Sequence, residues 1–214
     1  MTQNNLHQGM PILAYGAPLN QAQAAMIMLH GRGASAEDIL SLAQEFEQPT
    51  FAYLAPQAAK QTWYPNRFIA PLASNEPWFS SAIATVAGLL AHVNAAGIPS
   101  ERTLLLGFSQ GACLALEFAA RHPQRYGGVI ALSGALIENG DKPREYTGSL
   151  ADTPVFLGCS DVDFHIPKQR VERSATVLQQ IDAAVTIRLY PNMGHTVNQD
   201  EIDFIKQMTQ EVIA

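Results

Sequence analysis

The chain is expected to fold as an α/β protein, a mostly parallel sheet with helices on both faces. Three observations predict this. Apolar runs of strand length alternate with segments of helical period along the chain. One of them, Ala24–His30, is a continuous apolar run, as a strand buried on both faces is. Several of them end in Gly- or Pro-containing turns that lead into the next helix. Such a succession implies parallel strands joined by helical crossovers.

The elements follow in order. Ala24–His30 (AAMIMLH) is an apolar run ending in a Gly-rich turn and predicts a buried strand. Ser35–Glu47 predicts a helix, with Ser35 and Asp38 in capping-box spacing. Thr50–Leu54 predicts a second strand, ended by Ala55-Pro56. Residues 56–75 are irregular and hold Trp63, Tyr64 and Phe68 among prolines. A loop of that length inside a domain is usually functional or a lid. A helix is expected from Pro77 to Ala96, stopped by Gly97 and Pro99.

Arg102–Gly107 is the third expected strand. The helix Gln110–Arg121 is apolar on most sides, which suits the centre of a domain. Gly128–Leu132 is a fourth strand, followed by Ser133-Gly134 and a polar excursion over 135–152. Pro154–Gly158, a helix at Pro167–Gln180, and Val185–Tyr190 continue the alternation. The last helix is expected to be capped by Thr196 with Gln199 and to bury Ile202, Ile205, Met208 and Val212. No composition shift divides residues 1–214, so one α/β domain is expected.

Composition excludes several functions. Apolar residues make up 47% and charged residues 15% of the 214, enough for a large core. The net charge is −6 and no Lys/Arg cluster occurs, so neither nucleic acid nor an anionic membrane surface is an expected partner. No apolar run approaches the roughly 18 residues of a membrane span, and no integral membrane association is expected. The first residues lack a basic region followed by an apolar one, so no signal peptide is expected. Cys113 and Cys159 make neither a disulfide framework nor a metal-ligand pattern. They are expected to be buried free thiols in a cytoplasmic protein.

The chemistry centres on Gly107-Phe108-Ser109-Gln110-Gly111, which matches G-x-S-x-G between a strand and a helix. The chain must turn sharply there, and side chains two before or two after the serine would collide. The turn lifts the Ser109 hydroxyl above the sheet. The bland alternative is a Gly-rich turn with an incidental serine. A nucleotide-binding turn would want G-x-G-x-x-G after the first strand, which is lacking.

A serine nucleophile needs a base and an acid, which follow it in chain order in this fold. Of six histidines, only His165 and His195 follow Ser109 at loop positions, because His122 ends the nucleophile's own helix. His195 comes after the last strand, at the sheet edge where ligands bind. Its alternative is a capping or surface role. His165 stands too near the acid candidates and is expected beside the site as a substrate contact, or simply exposed. Asp152 and Asp182 precede strands, at the wrong end, and Asp141 lies in the polar excursion. Asp161 and Asp163 remain, and residue physics does not choose between them.

An oxyanion hole would use the Gln110 amide and a second amide from Gly31-Arg32-Gly33, with Arg32 the best candidate. The Arg32 guanidinium is expected to be solvated or substrate-facing. His30 either holds this loop or acts directly. Trp63, Tyr64 and Phe68 either pack in the core or roof the substrate.

These pieces together resemble the phospholipase/carboxylesterase family of the α/β-hydrolase superfamily, which includes acyl-protein thioesterases and small bacterial esterases. The matching segments are Leu29–Gly33, Ala55–Gln57, Gly107–Gly111, Leu132–Gly134, Gly158–Pro167 and Met193–His195. In order, they span nearly the whole chain. The family places its aspartate four residues before a proline, and Asp163 stands so to Pro167. The resemblance thus implies Asp163 as the acid and supports the Arg32 and Gln110 amides. It implies a serine carboxylesterase with a Ser109-His195-Asp163 triad, and thioester or lysophospholipid hydrolysis by the same residues as the alternative. A non-catalytic ligand-binding hydrolase fold is a third reading. The expected partner is a small-molecule ester. The chemistry needs no metal or organic cofactor. A homodimer is compatible with the sequence, which does not fix the oligomeric state. Three features depart from the family pattern: Cys159-Ser160 in place of His-Gly, Ala112 in place of a glycine, and the loop Trp63–Phe68. That loop resembles a bacterial esterase subgroup rather than the enzymes that remove lipid from proteins.

Overall fold

The computed structural model describes residues 5–140 and 144–214; Asp141 lies outside them. Among the described residues the strands are β1 (Ile12–Gly16), β2 (Ala24–Leu29), β3 (Phe51–Pro56), β4 (Thr103–Phe108), β5 (Gly128–Leu132), β6 (Thr153–Ser160) and β7 (Ala183–Tyr190). They form one sheet in the order β1-β3-β2-β4-β5-β6-β7. Only the β1–β3 pairing is antiparallel among those described. The expected α/β-hydrolase architecture is present.

The helices are α1 (Ala36–Ser41), α2 (Trp78–Ala95), α3 (Gln110–Arg121), α4 (Lys168–Gln179) and α5 (Gln199–Ile213). The two faces of the sheet build separate cores. Ala25, Ile27 and Leu29 of β2 join the cluster that holds α2, α3 and α4. Ala24, Met26 and Met28, on alternate positions, face α1 and α5. Burial on both faces is why β2 reads as an unbroken apolar run.

Four details differ from the sequence expectation. The edge strand β1 was not predicted; Ile12 and Tyr15 stay exposed, so it shows neither a buried run nor a clean alternation. The helix expected over Ser35–Glu47 is α1 followed by a 3₁₀ turn, Leu42–Phe46, ended by Glu47 in the left-handed region. The cap of α5 is Asn198 with Glu201 rather than Thr196 with Gln199; asparagine caps at least as well as threonine, and the Thr196 amide instead donates to Gly194 in the preceding turn. Finally, α2 is long and apolar enough, by length and composition alone, to cross a membrane, which corrects the expectation that no segment was. Its Phe79, Ala82, Val86, Leu89, Leu90 and Val93 are buried in the core instead.

The strand order reverses at β2, since β3 lies on one side of it and β4 on the other. Such a switch point opens a crevice at the carboxyl ends of the strands. Gly31–Gly33 follow β2 and Ser109 follows β4, so both loops meet at that crevice.

Candidate active site

Ser109 sits between β4 and α3 with φ 54° and ψ −116°, a strained conformation for a residue with a side chain. The flanking glycines make it attainable. A Cβ at Gly107 would lie 2.2 Å from the Gly111 carbonyl carbon, and one at Gly111 would lie 2.0 Å from the Leu29 oxygen. The collisions expected from the sequence are thus present in the backbone itself. Ala112, where the family has glycine, is accommodated by a second absence. Its methyl faces Gly134, where an added Cβ would come within 2.3 Å.

The loop after β7 brings His195 over the serine. His195 Nε2 lies 2.9 Å from Ser109 Oγ, and His195 Nδ1 lies 2.6 Å from Asp163 Oδ2. The other carboxylate oxygen of Asp163 accepts the amides of His165 at 2.8 Å and Ile166 at 3.0 Å. Burial pushes the Asp163 carboxyl up, but His195 and these two amides outweigh it and hold the carboxyl below its ordinary range. The aspartate is therefore a committed acceptor. It faces Nδ1–H of the imidazole and leaves the Nε2 lone pair for the serine proton. Asp161 is occupied elsewhere: its Oδ1 accepts the Asn192 amide at 2.8 Å and ties two loops together.

Arg32 and Gln110 both line the cleft beside Ser109. Gly31 brings the first of them close; a Cβ there would lie 3.5 Å from Ser109 Cβ. Among the described residues neither the Arg32 nor the Gln110 amide has an acceptor within the chain. Two unspent N–H donors beside a serine can serve a developing oxyanion.

The side chains of these two residues do something the sequence did not reveal. The Arg32 guanidinium donates to the carbonyls of Tyr64 (2.9 Å), Pro65 (2.7 Å) and Asn66 (2.6 Å). Exposed and lining the cleft, it also serves as a strap on the aromatic loop, a role the sequence did not suggest. Gln110 grips the same loop: its Oε1 accepts the Trp63 amide at 2.8 Å and its Nε2 donates to the Tyr64 carbonyl at 2.8 Å. Partners about 30 to 50 residues apart leave no local pattern by which to find them. His30 proves to be a loop holder. Its Nδ1 donates to the Gly31 carbonyl at 2.7 Å and its Nε2 accepts the Ala58 amide at 3.0 Å.

The cleft has a volume of about 540 Å³, within the range of small-molecule sites. Tyr64, Phe68 and His165 line it. Trp63 does not, which corrects the idea of a three-ring roof. Its side chain is fully buried, its Nε1 donates to the His30 carbonyl at 2.9 Å, and its ring packs between His7 and His30. An indole with one apolar body and one N–H finds both partners in the core. Both cysteines are buried free thiols, as expected, and burial pushes each up to about 12.

Known proteins share this architecture. The family described as Phospholipase/Carboxylesterase matches residues 12–213. A crystal structure of a phospholipase/carboxylesterase from Dyadobacter fermentans superimposes with a TM-score of 0.89. It is 40% identical, covering 96% of this chain and 97% of that one. The esterase PE8 structure gives a TM-score of 0.75 at 26% identity, over 95% and 98% of the two chains. Acyl-protein thioesterase 1 of Candida albicans is 27% identical, over 94% of this chain and all of that protein. A probable carboxylesterase, SOBER1-like, of Arabidopsis thaliana is 23% identical over 90% of this chain and 80% of that one. On the match across residues 12–213, the chain belongs to the phospholipase/carboxylesterase family of hydrolases.

Proposed function

We propose that the protein is a serine carboxylesterase that hydrolyses small or short-acyl carboxylic esters through an acyl-enzyme. The observation that carries this reading is the hydrogen-bond chain Ser109–His195–Asp163, at 2.9 and 2.6 Å. Neutral His195 takes the Ser109 proton as the hydroxyl attacks the ester carbonyl, and Asp163 stabilises the imidazolium that forms. The Arg32 and Gln110 amides receive the oxyanion; one such donor typically contributes about 3–4 kcal/mol to the transition state. His195 then donates its proton to the departing alcohol. Water repeats the sequence on the acyl-serine and regenerates the enzyme. Tyr64 and Phe68 wall the cleft with buried rings, which supports compact acyl groups.

A thioester or lysophospholipid substrate uses the same residues. It is kept as the second reading because acyl-protein thioesterases are among the relatives. A cytoplasmic site of action accompanies either reading, supported by two buried thiols left unpaired.

The test has two parts. A fluorophosphonate should label Ser109 and no other residue, read by peptide mass spectrometry. Aryl esters of increasing acyl length, run beside matched acyl thioesters, should then show the highest kcat/KM for short esters. An unlabelled protein would mean a binding-only fold, and preference for long thioesters would favour the second reading.

A further inference from the structure

The cleft beside Ser109 is cationic, although the chain carries a net charge of −6. Its permanent cations are Arg32 and Arg67, and no Asp or Glu lines it among the described residues. Arg32 spends its donors on neutral carbonyls, which leaves its charge uncompensated. Arg67 has no side-chain hydrogen-bond or ion-pair partner among the described residues.

The backbone of Arg67 is nevertheless held in place. Asn75, fully buried, accepts the Asn66 amide at 2.8 Å and reaches the Arg67 carbonyl at 3.5 Å. Phe68, the next residue, is buried in the core. Arg67 itself is exposed, so its backbone is anchored while its guanidinium, with five N–H donors unspent among the described residues, is free to reach an anion in the cleft that the residue lines. The nearby carboxylates are committed elsewhere: Asp163 lies buried behind His195, and Glu138 pairs with Arg170 at 2.7 Å. Unpaired cations at the wall of a cleft attract an anion that enters it, most strongly at low salt.

A second lobe of about 460 Å³ meets the first at Gly31, Ala34, Phe108 and His195. Ile39, Leu42 and Val197 give it apolar walls, and its one acid, Asp38, is occupied by the amide and hydroxyl of Ser35. The two lobes flank His195 and differ in character.

We propose that the site takes an ester bearing an oxyanion, a carboxylate or a phosphate, on one side of the scissile bond and a compact apolar group on the other. Arg67 reads the anion. The inference rests on the esterase reading above. A planar guanidinium matches the paired oxygens of either anion, so both sources share one recognition chemistry.

Matched probes separate the sources. Mono-4-nitrophenyl adipate against 4-nitrophenyl pentanoate puts a carboxylate on the acyl side. 4-Acetoxybenzoate and 4-acetoxyphenyl phosphate, each against phenyl acetate, put a carboxylate or a phosphate on the alcohol side. Rates are normalised to alkaline hydrolysis of each ester. At least one charged probe should exceed its neutral partner in kcat/KM by about 10-fold, the ordinary worth of one charge-assisted hydrogen bond. That ratio should shrink as salt is raised from about 0.02 to 0.5 M. It should collapse in Arg67→Gln and be partly kept in Arg67→Lys, with thermal unfolding as the control for folding. Neutral probes preferred throughout, or equal losses on charged and neutral esters in Arg67→Gln, would overturn the assignment of the anion while leaving the esterase intact. No turnover of any ester and no fluorophosphonate labelling would overturn the esterase reading itself.

Discussion

Replacing Asp163 by asparagine tests the polarity of the hydrogen-bond chain and little else. The side chain keeps its shape and its place in the loop. Its inner oxygen already accepts two amides, from His165 and Ile166. The new amide oxygen must stay there, so the NH₂ group takes the position of Oδ2, 2.6 Å from His195 Nδ1. That position would then hold a donor where the aspartate held an acceptor. The imidazole responds by moving its own proton to Nε2, the nitrogen that faces Ser109. A protonated Nε2 cannot accept the serine proton. In the general triad template this tautomer error costs about 10⁴ in kcat, or roughly 5 kcal/mol of transition-state stabilisation.

The assay is steady-state hydrolysis of a short aryl ester by Asp163→Asn and Asp161→Asn side by side. Asp161 contacts one amide in a neighbouring turn, so its variant should lose less than about 5-fold, within the ordinary effect of one surface hydrogen bond. Equal losses, or an Asp163→Asn enzyme retaining more than about a hundredth of wild-type kcat, would refute the argument. The same substitution carries a stability signature. The folded Asp163 carboxyl is held below its ordinary value, so its contribution is complete above about pH 4 and is lost as pH falls through the folded value. Asp163→Asn should flatten that acid limb of the melting curve.

Ser109→Ala should abolish ester turnover by more than about 10³-fold while leaving the melting temperature within a few degrees; residual activity above that level would require another nucleophile. Trp63→Ala should behave as a core lesion, costing about 3–5 kcal/mol of stability with little change in chain-length preference; a shifted preference at unaltered stability would restore the ring to the substrate site. His7 and His30 predict acid lability. Burial holds both imidazoles below their ordinary range, and each has a ring nitrogen that accepts a backbone amide and would carry a proton when charged. With folded values depressed, the unfolded chain binds more protons, so the melting temperature should fall as pH drops below about 6.5. A melting temperature flat or rising between about pH 7 and 5 would contradict this.

The sequence by itself determined the architecture and two members of the hydrogen-bond chain, Ser109 and His195. Burial on both faces makes strands such as Ala24–Leu29 continuous apolar runs, and a strand-to-helix turn needs glycines two residues either side of Ser109. These requirements act within a few residues, so they are written locally. His195 was legible for a similar reason, as the histidine following the last strand in chain order. The choice of Asp163 over Asp161 was not readable from residue physics, only implied by resemblance. Two aspartates two residues apart differ in which way the loop turns each carboxylate, and that depends on His195, 32 residues away. The straps from Arg32 and Gln110, the burial of Trp63 and the unpaired guanidinium of Arg67 are likewise decisions of tertiary structure. Each turns on what another part of the chain offers in space. A guanidinium that finds three carbonyls becomes a strap, and one that finds none is left unpaired at the edge of the cleft.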